Sequence, residues 1–192
     1  MTPEALIARF EHEVAHAERT LGEEGTVYPL FAVVDTQGRT RPVAADFSSE
    51  DTKAVSFAIV RLICIADAAV AVFHRVEAWL VFDDRAPGLS ASQSERRVEV
   101  LLMFGVARVE GAIKQMVRAR EIKRDLVGTL SGLCDVAMPG LGGAGLQALD
   151  LQGRMTDLLP AEPPTFAERR RARDMVDRIA KRLSRGQAAF AG

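Results

Sequence analysis

Val98-Glu99-Val100-Leu101-Leu102-Met103-Phe104-Gly105-Val106-Ala107-Arg108-Val109 is a twelve-residue run in which only Glu99 and Arg108 are charged. It is rich in β-branched valine, and Gly105 sits at its middle, where a helix would be weakened. A continuous apolar run of this kind suits a strand covered on both faces, so residues 98–109 are predicted to be central in a sheet. The flanks must then supply the neighbouring strands. Residues 69–82 alternate: Val70, Val72, Val76, Ala78, Leu80 and Phe82 share one face, interrupted by His74, and Phe73, Arg75, Glu77 and Trp79 share the other. A polar loop through Pro87 and Gly88 to Glu95 separates the two runs. Residues 113–124 alternate less cleanly through Ile113, Val117 and Ile122. They are read as a last strand rather than a helix, because Gly105 and Gly111 would both interrupt one long helix.

Further towards the N-terminus, Val27 to Asp35 and Arg41 to Phe47 are extended apolar segments joined by Asp35-Thr36-Gln37-Gly38, which reads as a hairpin. Ser48 with Asp51 resembles a capping box for a helix from Glu50 to Asp67. That helix is apolar on most sides (Val55, Phe57, Ile59, Val60, Leu62, Ile63, Ile65), so it is expected to cross the sheet inside the core. Thr2 and Pro3 open an N-terminal helix that should stop at Gly22, with Ile7, Phe10, Val14, Ala17 and Leu21 as its buried stripe. Residues 1–136 are thus expected to form one domain. A Gly/Pro-rich connector over 137–164 follows, and residues 165–192 form a basic amphipathic helix opened by Thr165 and Glu168. The fold class is α+β: a mostly antiparallel sheet of about five strands, a buried crossing helix, and peripheral N- and C-terminal helices.

The chain has 192 residues, 48% hydrophobic and 27% charged, which fits one sizeable core and argues against wholesale disorder. Net charge is −1, so no global field draws in nucleic acid or an anionic membrane. The longest apolar stretch, Leu62 to Phe73, contains Asp67 and is too short to span a bilayer. Cys64 and Cys134 are too few and too widely spaced for a disulfide framework or a cysteine-based zinc site. These features, with no secretion signal at Thr2-Pro3-Glu4, predict a cytoplasmic protein that can also be associated with a virion.

His12-Glu13-Val14-Ala15-His16 matches H-E-x-x-H, in which two histidines one turn apart hold zinc and the glutamate polarises water. The setting argues against that chemistry. Only His74 remains as a further histidine ligand, Glu11 and Glu18 flank the motif with charge, and only eleven residues precede it. On a helical wheel His12 and His16 lie opposite the apolar stripe, the position of a solvated face. The expectation is therefore no metal and no cofactor, with zinc at His12 and His16 and Glu13 as general base kept as the alternative. Gly140-Leu141-Gly142-Gly143-Ala144-Gly145 satisfies G-x-G-x-x-G but follows Pro139 and leads into a proline-rich stretch, so it reads as linker. His74 reads as a hydrogen-bonded core histidine, an odd number of residues from Glu77 and hence on the opposite strand face.

The C-terminal helix sets Met175, Val176, Ile179 and Leu183 on one side and arginines on the other. Those four residues are the expected docking stripe, for a protein partner or a second copy. Arg169, Arg170, Arg171, Arg173 and Arg178 could instead contact phosphates, but Glu168, Asp174 and Asp177 interrupt them and no aromatics interleave. Finally, Val76-Glu77-Ala78-Trp79 ending a strand, then a polar loop, then Arg96-Arg97-Val98-Glu99-Val100 entering the next, resembles an uncharacterised α+β protein family of bacteriophages and prophages over roughly residues 28–130. The resemblance implies a phage setting and no known activity. The leading functional expectation is a non-enzymatic phage or prophage accessory protein acting by protein–protein contact, as a component of a larger particle. A small zinc-dependent hydrolase and a nucleic-acid-associated factor are the alternatives.

Overall fold

The computed structural model describes residues 1–80, 97–136, 155 and 157–190, with side chains to residue 182. Its elements in chain order are α1 (Pro3–Glu24), β1 (Leu30–Val34), β2 (Thr40–Ala44), α2 (Glu50–Ala66), β3 (Ala71–Leu80), β4 (Val98–Val109), β5 (Ala112–Arg124), β6 (Leu130–Asp135) and α3 (Phe166–Phe190). The six strands form one antiparallel sheet in the order β2-β1-β3-β4-β5-β6. This is the predicted α+β class with one strand more than expected. The 98–109 run is indeed interior, paired along its length with β3 and β5. Residues 113–124 are a strand, reached through a two-residue turn at Glu110 and Gly111, both at positive φ (51° and 83°). Pro42 lies in β2 at the edge, where its missing N–H deprives no neighbour.

Each sheet face carries its own core. On one, α1 lays down Leu6, Phe10, Val14, Ala17 and Leu21 against Ala32, Val34, Ala71, Phe73, Leu101, Met103 and Ala107. Leu6 rather than the predicted Ile7 completes the stripe, and Ile7 is 38% exposed. Thr2 caps the helix through Ala5 N–H at 3.2 Å. The helix continues past Gly22 to a left-handed cap at Gly25, φ 73°, because packing of Leu21 outweighs the local cost of one glycine. Gly105 makes the close approach possible. It faces Phe73 across the β3–β4 ladder, and a Cβ there would stand 2.9 Å from the Phe10 ring and 3.1 Å from that of Phe73.

The opposite face holds α2, whose Val60, Ile63 and Cys64 pack on Phe31, Val33, Val72 and Val106. Its cap is one residue later than expected: Ser49 with Thr52, closed in both directions at 3.1 Å. The helix is not buried all round, since Val55 is 57% exposed. Instead α3 lies along its outer side. Of the 137–164 stretch, the described distal end is packed rather than free. Leu158 and Leu159 are buried in the α2-side core, and Arg108 on β4 donates to the carbonyls of Pro160 and Ala161. The glycine-rich segment 140–145 lies outside the described residues.

Candidate functional site

The H-E-x-x-H residues sit on the middle of α1, with His12 and His16 exposed and Glu13 half-buried. Each of the last two has a local partner. Glu13 pairs with Arg9 one turn earlier at 2.8 Å. His16 Nδ1 accepts from the Arg75 guanidinium at 2.6 Å and lies 3.4 Å from the Thr20 hydroxyl. A guanidinium on the ring nitrogen puts positive charge beside the lone pair that a cation would use. The flanking acids belong to the same seam: Glu11 holds both Nη atoms of Arg118 at 2.6 Å, and Glu18 meets Arg120 at 3.1 Å. The polar side of α1 therefore joins charged residues of the sheet. Among the described residues, no three His, Cys, Asp or Glu side chains are grouped as metal ligands.

The α3 stripe divides. Ala172 is buried, while Val176 and Ile179 are half-buried on the side that faces α2, and Val176 joins the α2-side core. Met175 is 42% exposed, at the margin of that seam; the Leu183 side chain lies outside the described residues. Thr165 and Glu168 form the expected cap, with Thr165 N–H donating to the Glu168 carboxylate at 2.8 Å. Arg170, Arg171, Arg173 and Arg178 are exposed, with Glu168, Asp174 and Asp177 exposed among them.

Two features were not singled out from sequence. The first is the turn joining β5 to β6. Asp125 Oδ1 accepts from Val127 N–H at 3.0 Å and Thr129 N–H at 2.8 Å, and Gly128 N–H closes the turn on the Asp125 carbonyl at 3.0 Å. The turn between β1 and β2 is built the same way: Asp35 Oδ1 accepts from Gln37 and Arg39 N–H at 2.8 and 3.0 Å, and Gly38 closes on the Asp35 carbonyl at 3.0 Å. Gly38 and Gly128 both take positive φ, 77° and 85°. The turns differ at the residue after the glycine, where Arg39 also pairs with the Asp35 carboxylate and Thr129 does not, and at the two tip residues. In one turn they are Thr36 and Gln37; in the other, Leu126 and Val127, whose exposures of 107% and 85% are those of fully bare side chains. The repeated D-x-x-G pattern was the available sequence signal. The base of the apolar turn is clamped by Arg124, which reaches the carboxylates of Glu99 and Glu77 and the Gly25 carbonyl that ends α1.

The second feature is a concavity of about 840 Å³ lined by the segment before β1, the segment joining β2 to α2, the first turns of α2, and residues of β3 and β4. His74 forms part of its lining yet is only 2% exposed. The ring belongs to a ladder of parallel rings set by strand register: Phe31, His74 and Phe104 are direct neighbours on β1, β3 and β4. His74 stacks on Phe31 at 4.2 Å and runs parallel to Phe104 at 6.4 Å, while Phe47 and Phe57 close around it at 5.3 and 6.3 Å. Its Nδ1 lies 3.2 Å from the Leu30 carbonyl. Burial pushes the imidazole pKa down to about 4, against the opposing effect of that carbonyl bond and helped by the nearby Lys53 ammonium. The ring is therefore neutral at neutral pH. Cys64, also buried, has its thiol pushed up to about 12 by burial and by Asp67, so it is a protonated core residue rather than a nucleophile.

Comparison of the chain with protein-family models, curated proteins and solved structures returns no match. No helix among the described residues is long and apolar enough to cross a membrane.

Proposed function

We propose that this protein is non-enzymatic and acts by protein–protein contact, as an accessory protein in a phage or prophage setting and within a larger particle. The phage setting is supported by the resemblance carried by residues 76–79 and 96–100. The contact reading is carried by one observation, the Leu126–Val127 tip. The β1–β2 turn has the same geometry with Thr36 and Gln37, so the turn itself does not require apolar residues. Two bare aliphatic side chains on a clamped hairpin contribute nothing to the fold, and each would gain roughly 1.5–3 kcal/mol when covered by a partner. A zinc-hydrolase reading of His12, Glu13 and His16, or a nucleic-acid reading of α3, has no comparable observation behind it.

The two turns provide their own experiment. Leu126→Thr with Val127→Gln moves the polar pair of the first turn into the second. Stability should stay within about 0.5 kcal/mol, as for ordinary surface changes. Association, followed by sedimentation of the purified chain and by co-purification from its native cells, should weaken tenfold or more. Unchanged association of the folded double variant would place the contact surface elsewhere.

A further inference from the structure

The concavity around His74 is a second feature, independent of the hairpin tip. We propose that it is a binding site for a small, uncharged aromatic molecule carrying one N–H or O–H donor, of the phenol or indole type. Three observations lead there. The first is the protonation pattern that the geometry imposes. The Leu30 carbonyl has no proton to give, so His74 Nδ1 must donate the bond between them. A neutral imidazole has only one N–H, which leaves Nε2 as a bare acceptor. Among the described residues nothing donates to it, and it is not one of the fully buried unpartnered atoms, so on a residue only 2% exposed it opens on the cavity that the ring lines. An acceptor that opens on a cavity from an otherwise buried ring is placed to take a donor brought from outside.

The second observation is the character of the walls. Phe47, Phe57 and Phe104 surround the imidazole, and Leu102 and Val76 extend the surface along the sheet. Flat aromatic rings with few polar groups suit a ligand that is itself flat and apolar, and the volume is in the range of small-molecule sites. The third is charge. Among the described lining residues the charged ones are Asp46, Glu50, Glu77 and Lys53; Lys53 lies 3.4 Å from Glu50, and Glu77 is already engaged by Arg124 and the Val27 N–H. An anionic ligand finds no free cation among the described lining residues. One donor, aimed at Nε2, is what the site lacks.

The test compares indole with 1-methylindole, which has the same ring and no donor, and adds 4-methylphenol as a donor of different shape. Binding to the full chain is followed by protein NMR, reading Nε2 of His74 in long-range ¹H–¹⁵N spectra. Indole and 4-methylphenol should bind saturably, shift that nitrogen and the Phe47, Phe57 and Phe104 rings, and bind about tenfold more tightly than 1-methylindole. In His74→Phe the indole preference should fall to about one. Leu102→Trp, which fills the cavity and leaves His74 in place, should abolish binding of all three. The Nε2 reading needs no variant, so it stands even if His74→Phe fails to fold. Failure of indole and 4-methylphenol to bind, binding that leaves Nε2 unmoved, or equal affinity for indole and 1-methylindole would each overturn the proposal. None of these outcomes bears on the hairpin tip.

Discussion

His74 shows how one residue can record its environment in the stability of the whole chain. Its imidazole is held at about 4 in the folded protein against an ordinary value of 6.5. Between those values the unfolded chain binds a proton that the folded chain excludes. The contribution is therefore complete above pH 6.5 and is lost as pH falls towards 4, by about 3 kcal/mol in all. Asp46 and Glu168 are held below their ordinary carboxylate values by Ser48 and Thr165, so their contributions are lost lower, below about pH 4.5. Urea midpoints measured from pH 7 to 4.5 should thus fall in the native chain and stay nearly level in His74→Phe. Parallel curves would mean the imidazole is not shielded as described. The sequence showed His74 interrupting an apolar strand face, and so a buried histidine. The Phe31 and Phe104 rings that flank it come from strand register, which no local pattern specifies.

At the scale of elements, α3 provides the sharpest contrast between pattern and packing. Its sequence groups Met175, Val176, Ile179 and Leu183 as a single stripe, but α2 covers the side marked by Ala172, Val176 and Ile179 and leaves Met175 at the margin. Val176→Asp should free α3, since an uncompensated charge would be pressed against α2. Met175→Asp should leave the helix docked. Amide hydrogen exchange across residues 166–182 distinguishes them: protection should collapse in the first variant and persist in the second. Equal loss in both would show that the whole stripe is the contact. The same logic explains α1, where Leu6 replaces Ile7. A wheel gives the width of an apolar arc, but its partner's shape decides which residue at the border turns inward.

For the molecule as a whole, the sheet is the shared wall of two cores. Val72 and Phe73 are adjacent on β3 yet belong to opposite layers, as do Val106 and Ala107 on β4. Neither layer can be lost without exposing the back of strands that the other needs. Unfolding should therefore be a single transition from either side. Leu21→Ala on the α1 side and Ile63→Ala on the α2 side should each cost roughly 2–5 kcal/mol. Far-ultraviolet circular dichroism and Trp79 fluorescence should report coincident midpoints in both variants. Separated midpoints in either would mean that one helical layer melts by itself.

What the sequence determined is what periodicity and local chemistry can carry. The doubly apolar run 98–109 demanded an interior strand, the alternation of 69–82 its partner, and Thr2 and Thr165 fixed helix starts through bonds to residues three positions away. Leu130–Asp135 escaped notice as a strand because its alternation is weak; pairing with β5, rather than its own composition, holds it in the sheet. The tertiary structure alone decided what distant residues do to one another. It set Arg75 on His16, although 59 positions separate them, and so gave a zinc-like motif a place in an ion-pair seam. It brought Phe31, Phe47, Phe57 and Phe104 around His74 from three strand or loop segments and a helix. It also left Leu126 and Val127 uncovered in a turn whose local chemistry matches that of Thr36 and Gln37. The physical reason is the same in each case. Helix caps, turns and strand alternation are set by neighbours along the chain, whereas burial, pairing and exposure depend on which surfaces folding brings together.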